Sequence, residues 1–448
     1  NTSNFFALAP TDFRKRLVGV FGDVRLDYKD FLILNVTGRN DWSSTLPKEN
    51  RSFFYPSVSL AYILTNSIIE SNDIISYAKL RGSFAQVGKD ASPYQIGTYF
   101  GAVPGFPFGA IGGFRRDLDI GNFNLKPEIT TENEIGLEAS LFNNLITLET
   151  NYFVRKSKNQ ILPVGVSNVT GFASFVTNAG VIKNSGVELL LGATPIKGAF
   201  RWDIMLNWTR IRSVVESMPE NLKTITYYDQ GRSALRIEEG GSMGDLYGYE
   251  WKRNEKGETL IGTNGLPTLD QTTLVKIGNA LPDWTGGLSN AFSYKGLTLD
   301  VLLEMRQGGD IVDIGEINAI RNGTLAFTAD RNKAVIWKGV LADGSPNNIV
   351  AIFDENTYRA FGINAHHSFN IQDASWFRIR SASLSYEIPK SIIGSKIRSL
   401  NIGVSGSNLF LSTPFRGYDP EALAFGSGSN FIGYTGRNTP NTRNINFN

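Results

Sequence analysis

Connections of very unequal length alternate along this chain, and that alternation limits its possible folds more than any other feature of the sequence. Strand-like segments near 31–40, 145–155, 201–211 and 297–306 are each entered through a tight turn. The turns are Asp27-Tyr28-Lys29-Asp30, Asn143-Asn144, Pro195-Ile196-Lys197-Gly198 and Tyr294-Lys295-Gly296, and each strand then leaves into a long polar stretch. Thirteen strands are read directly, at roughly 16–26, 31–40, 54–65, 77–87, 132–142, 145–158, 183–194, 199–213, 284–294, 297–309, 374–388, 397–411 and 438–448. A further strand or hairpin within 245–277 would bring the set to about fourteen. Connections 27–30, 66–76, 143–144, 195–198, 294–296 and 389–396 then fall on one side, and 41–53, 88–131, 159–182, 214–283, 310–373 and 412–437 on the other. An antiparallel barrel crossing an outer membrane sorts its connections in this way, with short periplasmic turns and long outer loops. A soluble sandwich has no reason to.

The strands supply a second argument through their period of two. Leu32, Leu34 and Val36 share one face, and Asn35, Thr37 and Arg39 the other. Ile135, Leu137, Ala139 and Leu141 stand opposite Glu134, Glu138 and Ser140; Trp202, Ile204, Leu206 and Trp208 opposite Arg201, Asp203, Asn207 and Thr209. Leu297, Leu299, Val301, Leu303 and Met305 stand opposite Asp300, Glu304 and Arg306. A single alternating strand also fits a half-buried soluble sheet. Repetition over strands of about ten residues, long enough to cross a bilayer when tilted, favours lipid on one face and a watery lumen on the other. In segment 374–388 the apolar set changes phase: Phe377 and Ile379 share a face, while Ala382, Leu384 and Tyr386 continue one position out of step, which predicts a bulge near Ser381.

Composition narrows the alternatives. Across 448 residues no Pro/Gly/Ser-rich linker or charge run divides the chain, so a single large architecture is expected. Runs such as Leu189-Leu190-Leu191 are far too short for a membrane helix of about 20 residues. The 29 Phe, 16 Tyr and 7 Trp suit aromatic girdles at two membrane interfaces, although a propeller or a carbohydrate-binding sandwich is equally aromatic. Without cysteine there is neither a disulfide nor a thiolate metal site. A net charge of +2 makes no electrostatic case for nucleic acid.

Read as strings, several segments resemble the SusC/RagA family of TonB-dependent outer-membrane transporters. They are Phe54-Tyr55-Pro56-Ser57-Val58-Ser59-Leu60-Ala61-Tyr62; Lys79-Leu80-Arg81-Gly82-Ser83; Leu125-Lys126-Pro127-Glu128 with Thr130, Glu134 and Gly136-Leu137-Glu138; and Asn178-Ala179-Gly180 with Asn184-Ser185-Gly186-Val187-Glu188. Further on come Gly278-Asn279 with Pro282-Asp283-Trp284, Ser293-Tyr294-Lys295-Gly296-Leu297, and Asn408-Leu409-Phe410 with Gly417-Tyr418-Asp419-Pro420-Glu421. The resemblance implies an all-β fold, a transmembrane antiparallel barrel in which residues 1–448 are about the last fourteen strands of a 22-stranded plugged barrel, with the plug and first strands outside this chain. It further implies nutrient import of the oligosaccharide or peptide class across the outer membrane, a SusD-like surface lipoprotein as partner, and energy supplied by TonB through the plug. A SusC-like barrel serving as a non-transporting scaffold of a larger complex is the alternative. A soluble all-β binding protein is a more distant one.

Candidate residues follow from these readings. Glu149, Arg155, Asp203, Glu304 and Arg306 lie on polar faces and could line a solute path, or form a solvated or plug-contacting wall. Tyr247, Tyr249 and Trp251, at alternate positions, could stack on a sugar, or build a girdle or the core of a loop. Phe100, Phe106, Phe108 and Phe114, in a Gly/Pro-rich stretch, together with Trp337, suit contact with a covering protein or loop self-packing. No nucleophile constellation is visible, and the only histidines, His366 and His367, are neighbours that an extended chain would point apart. No enzymatic activity and no cofactor are expected. Asp117-Leu118-Asp119-Ile120-Gly121 with Glu128 superficially resembles a calcium loop, but its glycine falls at position five rather than six, so no metal site is assigned.

Overall fold

The computed structural model describes residues 13–447 apart from 104–111, 221, 230, 232, 365–369, 395–396, 426–430 and 437. Thirteen strands follow one another across a single sheet, each pairing antiparallel with the next: β1 Leu17–Tyr28, β2 Leu32–Ser43, β3 Ser52–Ile63, β4 Ile75–Lys89, β5 Glu128–Leu141, β6 Ile146–Gly165, β7 Ser174–Ile196, β8 Phe200–Ser217, β9 Trp284–Tyr294, β10 Leu297–Gln307, β11 Trp376–Glu387, β12 Asn401–Ser412 and β13 Asn444–Phe447. A two-residue strand, Asp119–Ile120, attaches to β7 in parallel. The strands expected within 245–277 exist, but they pair with each other in a separate sheet outside this wall.

The tight turns have the backbone that hairpins need. Lys29 and Asp30, Asn143 and Asn144, and Lys295 and Gly296 all have positive φ, the pattern of a type I′ turn, whose twist matches that of the flanking strands. Asn, Asp and Gly tolerate that region best, which is why these residues mark the turns in the sequence.

Register joins the faces of individual strands into two continuous surfaces. Leu26, Leu34, Leu60, Gly82, Ile135, Tyr152 and Val187 stand side by side from β1 to β7. Leu206, Leu288 and Leu303 continue the same face through β8, β9 and β10. Near the short turns this face carries rings: Phe31 meets Tyr28 and Tyr62 with centroids 5.6 Å apart, and Trp202 stacks on Phe292 at 5.6 Å. Tyr294 and Tyr386 lie close by, both paired with Leu297. Aromatic bodies with polar tips at one height are what a membrane interface selects. The Trp202 indole N–H is satisfied by Asn290 Oδ1 at 3.3 Å.

The predicted bulge is present. Between Leu302 and Leu303 the β11 partner jumps from Ser381 to Ile379, leaving Arg380 as the extra residue; on β12 the same irregularity coincides with Asn408 at φ +53°.

The sidedness of the connections holds, but their lengths overlap. β6 and β7 continue to Gly165 and from Ser174, so most of 159–182 is strand. Connections 44–51 and 166–173 are consequently shorter than 64–74 and 388–400 on the opposite side. The β6–β7 hairpin overshoots because its upper residues have something to pack on: Val164 and Ala179 are buried with Ile225, and Val176 with Leu125 and Phe53.

Candidate functional site

Three long connections form one external cap. The β8–β9 connection folds into a four-stranded sheet, Thr224–Asp229, Ser233–Glu238, Asp245–Trp251 and Leu269–Asn279. In the β10–β11 connection, Asp310–Asp313 pairs with Ile371–Asp373 and, in parallel, with Tyr434–Thr435 of the β12–β13 connection. Leu235, Leu246, Val312 and Tyr434, each inaccessible to solvent, pack together where the three meet. Burial also pushes up the pKa of the Tyr434 phenol.

The strand Asp310–Asp313 runs straight into helix α1, Ile314–Arg321, whose first turn is capped by Asp313 accepting from the Glu316 N–H at 3.0 Å. Burial pushes the Asp313 carboxyl above its ordinary pKa. Glu316 in turn receives a two-pronged bond from Arg416, at 2.9 and 2.8 Å, and a third from Gln372 at 2.9 Å. Beyond Arg416 the chain presses onto the polar face of the wall. Arg378 of β11, 2% exposed, donates to Asp419, 3% exposed, at 2.7 Å, and lies 3.0 Å from Glu421. Arg380 binds Glu421 at 2.7 Å, Glu304 at 2.5 Å and Asn408 at 3.1 Å. Both guanidinium groups stand over the Trp376 ring, at 5.4 and 5.7 Å. Trp376, Arg378 and Arg380 alternate along β11 and so share the polar side, and the bulge changes the phase only after Arg380. Since Asp419 and Glu421 reach the polar face, the cap stands over the interior of the wall. Between α1 and 416–422 it encloses a cleft of ≈ 670 Å³.

The sequence-derived candidates fall into separate places. Glu149 is one of the partners of Arg81, which meets Glu149 at 2.8 Å, Asn151 at 2.6 Å, Glu134 at 3.4 Å and Glu138 at 3.8 Å. Arg155 donates to Glu132 on the neighbouring strand. Asp203 sits near the short turns, bound by Arg201 at 2.6 Å and Thr194 at 2.7 Å. Glu304 belongs to the Arg380 cluster, and Arg306 donates to the Ala280 carbonyl at 2.7 Å, pinning the end of the β8–β9 connection. Each is thus engaged by the wall or a loop. Tyr247 is buried, with its phenol pushed up to about 12 first by burial and then by Glu238, and Trp251 packs on Ile320, Phe353 and Tyr358. Tyr249 lies half-buried between them on the same strand. These aromatics form loop core, and so does Trp337, which packs against the same cluster. Phe100 and Phe114 differ: both are strongly exposed on one face of the ribbon Phe100–Ala102/Phe114–Arg116. Phe106, Phe108, His366 and His367 lie outside the described residues. The calcium-like stretch is dispersed, with Asp119 accepting from Ser174 and Glu128 from the Ile161 N–H.

Arg81, Arg378, Arg380 and Glu316 are absent from the sequence-derived candidates. A signal existed for two of them, since Arg378 and Arg380 alternate with the apolar Phe377 and Ile379 and so fall together on the polar face. Nothing local marks their partners some forty residues downstream.

With wall, cap and polar interior established, comparison with known proteins places the chain. Residues 1–409 match the family described as TonB dependent receptor-like, beta-barrel. The chain belongs to that family. Similar proteins include TonB-dependent receptor P3 of Formosa agariphila, 26% identical over 91% of this chain and 42% of that protein, and TonB-dependent receptor SusC of Bacteroides thetaiotaomicron, 23% identical over 91% of this chain and 42% of that one. The chain therefore spans less than half the length of these curated relatives. Among solved structures, the RagAB peptide transporter aligns with a TM-score of 0.74 and 20% identity over 97% of this chain and 47% of that one. The SusC/RagA resemblance in the sequence strings and the barrel fold agree with these matches.

Proposed function

We propose that this chain forms the C-terminal wall of a larger, plugged outer-membrane barrel that imports a nutrient of the oligosaccharide or peptide class. In this reading TonB supplies energy through a plug contributed by other residues, and a SusD-like lipoprotein covers the outer mouth. The carrying observation is the pairing of a two-faced wall with a folded cap: one face is apolar across successive strands, the other is charged, and the long connections fold over the charged side. The role is passage rather than catalysis, and lipid is the partner of the apolar face. Phe100 and Phe114 are the residues proposed to meet the lipoprotein, because their rings are bare while Trp337, Tyr247 and Trp251 are packed inside the cap. Aromatic anchors of this kind dominate protein interfaces.

The test uses the full-length protein in its native membrane. Phe100→Glu with Phe114→Glu should release a co-purifying lipoprotein in a pull-down while the barrel stays inserted. Loss of the barrel should abolish uptake of the nutrient. Retained uptake without the barrel would replace import by the scaffold reading, and a lipoprotein still bound to the double variant would remove the Phe100/Phe114 assignment.

A further inference from the structure

Charge on the apolar side of the wall is confined to one place. Along β8, Trp202, Ile204, Leu206 and Trp208 hold that side, and the next two residues on it are Arg210 and Arg212. Their neighbours Thr209, Ile211 and Ser213 line a cavity under the cap with Met243 and Ile432, which leaves the two arginines facing outward. Register carries the same side onto β7 and β6: Arg212 pairs with Ser185 and through it with Val154, Lys183 pairs with Lys156, and Val181 with Lys158. Lys156, Lys158 and Lys183 therefore stand beside the arginines. Among the described residues of the thirteen strands, the one other charge here is Glu216, at the end of β8, which meets Lys156 at 2.9 Å and Lys183 at 3.8 Å. Lys158, Arg210 and Arg212 are exposed, and their side chains have no partner among the described residues.

We infer that this patch holds a phosphorylated lipid headgroup of the outer leaflet, with a phosphate between Arg210 and Arg212 and the lysines of β6 and β7 around it. The inference rests on the placement of lipid against the apolar face proposed above, and adds which kind of lipid sits there. The height of the patch fits a headgroup. Phe200, where the apolar side of β8 begins beside the short turn, is ten residues from Arg210, about 34 Å along a strand. At a strand tilt of about 40° this spans about 25 Å of membrane, the height of a barrel's apolar band. Arg210 thus stands where hydrocarbon gives way to headgroups, and Arg212, Lys183 and Lys158 continue outward. The charge fits as well. Five cations against one carboxylate attract an anion, whereas a zwitterionic headgroup would bring its own ammonium to a surface already positive. A guanidinium fork matches two phosphate oxygens, and two positions along a strand, about 7 Å, let Arg210 and Arg212 share one phosphate. Near the long connections of other strands this side is neutral, as at Trp42, Gln86 and Gln307, so the lipid is held at one place.

The experiment takes the full-length protein, delipidated in detergent, and measures retained lipid by native mass spectrometry after addition of diphosphoryl lipid A, dioleoylphosphatidylglycerol or dioleoylphosphatidylcholine. Lipid A should be retained most and phosphatidylcholine least, and high salt should strip lipid A from the wild type. Lys158→Gln with Arg210→Gln and Arg212→Gln should weaken retention of lipid A about a hundredfold. Arg210→Lys with Arg212→Lys, which keeps the charge and loses the fork, should weaken it less. The same change of net charge made on the cap, by Lys256→Gln with Lys333→Gln and Lys338→Gln, should leave retention as it is. Heat-modifiable migration shows that the variants are folded barrels. The inference is overturned if phosphatidylcholine is retained as well as lipid A, if salt leaves lipid A bound, or if the folded neutral variant retains it like wild type. Displacement of the lipid by an equal concentration of inorganic phosphate, or cross-linking of Lys158 to a second copy of the chain in the native membrane, would also overturn it. A spin label at Ile204 separates this failure from that of the underlying reading. Lipid contact there with variant-insensitive retention removes the headgroup site alone, whereas water contact removes the lipid face itself.

Discussion

Two arginine centres lie on the polar face of this wall, and they work in different ways. Arg81 is 32% exposed and shares its charge among Glu134, Glu138 and Glu149, all on the next two strands. Arg378 is almost wholly buried, and its carboxylates come from a connection beyond β12, pressed against the wall from above. The first centre joins neighbours that the backbone ladder already holds together, with solvent free to replace any one contact. The second holds a distant segment in place, and loss of Asp419 leaves the dehydrated Arg378 with Glu421 alone. Exposure, rather than the number of ion pairs, separates the two: solvated pairs contribute about 0–1 kcal/mol, whereas removing one member of a buried pair costs roughly 3–5 kcal/mol.

The sharpest test of that contrast is Asp419→Ala in the full-length protein. It should destabilise the cap by roughly 3–5 kcal/mol, read as accelerated amide exchange in 413–425 with the strands unchanged. Replacing Arg378 by Met in the same background should recover part of the loss, because the stranded charge is removed with its partner. If Asp419→Ala costs no more than Glu149→Ala, the distinction between the centres disappears. Next in size is a charge on the opposite surface. Ile135→Arg should cost about 2–4 kcal/mol in bilayer refolding, and spin labels at Leu34, Ile135, Ile204 and Val301 should report lipid where Asp203 and Glu304 report water. The inverse accessibility pattern would exchange interior and exterior.

Smaller effects are expected at the solvated centre. Glu149→Ala should change stability by about 0–1 kcal/mol, since Arg81 keeps its two other carboxylates and Asn151. Asp90 lies between the extremes, with a side chain 10% exposed. Burial pushes its carboxyl up, but bonds from Lys15, Ser43 and Thr45 outweigh that and hold it below the ordinary value. A depressed native pKa contributes stability above the unfolded value of about 3.9, and the contribution is lost as pH falls through the native one. Anchoring of Lys15 should therefore weaken only in that acid range, and Asp90→Asn should remove this pH dependence, as followed by the exchange of the Arg16 and Ser44 amides.

The wall was legible from local chemistry. A strand's faces are set by period two, and Asn143-Asn144 or Lys295-Gly296 announces a turn because few residues tolerate positive φ; even the bulge at Arg380 left a phase change. The cap was not legible. Tyr247, Trp251 and Trp337 have the composition of either a binding surface or a core, and only contacts between separate segments decide for the core: Trp251 and Trp337 on Ile320, Phe353 and Tyr358, with the strands Asp310–Asp313 and Tyr434–Thr435 side by side in a second cluster. Asp419 and Glu421 belong to one of the strings that carried the family resemblance, yet their role depends on Arg378 and Arg380, which no spacing rule connects to them.

That side-by-side pairing also sets an order in time. Val312 and Tyr434 become neighbours only after every strand from β11 to β12 has been laid down between them, so the ordering entropy of the intervening chain must be met before their contact returns anything. The Val312–Tyr434 contact should therefore form later than the hairpin pairings of the wall. Protease added during biogenesis would report completion of the wall through the sudden protection of residues near Val312 and Tyr434, making this parallel strand pair a clock for assembly.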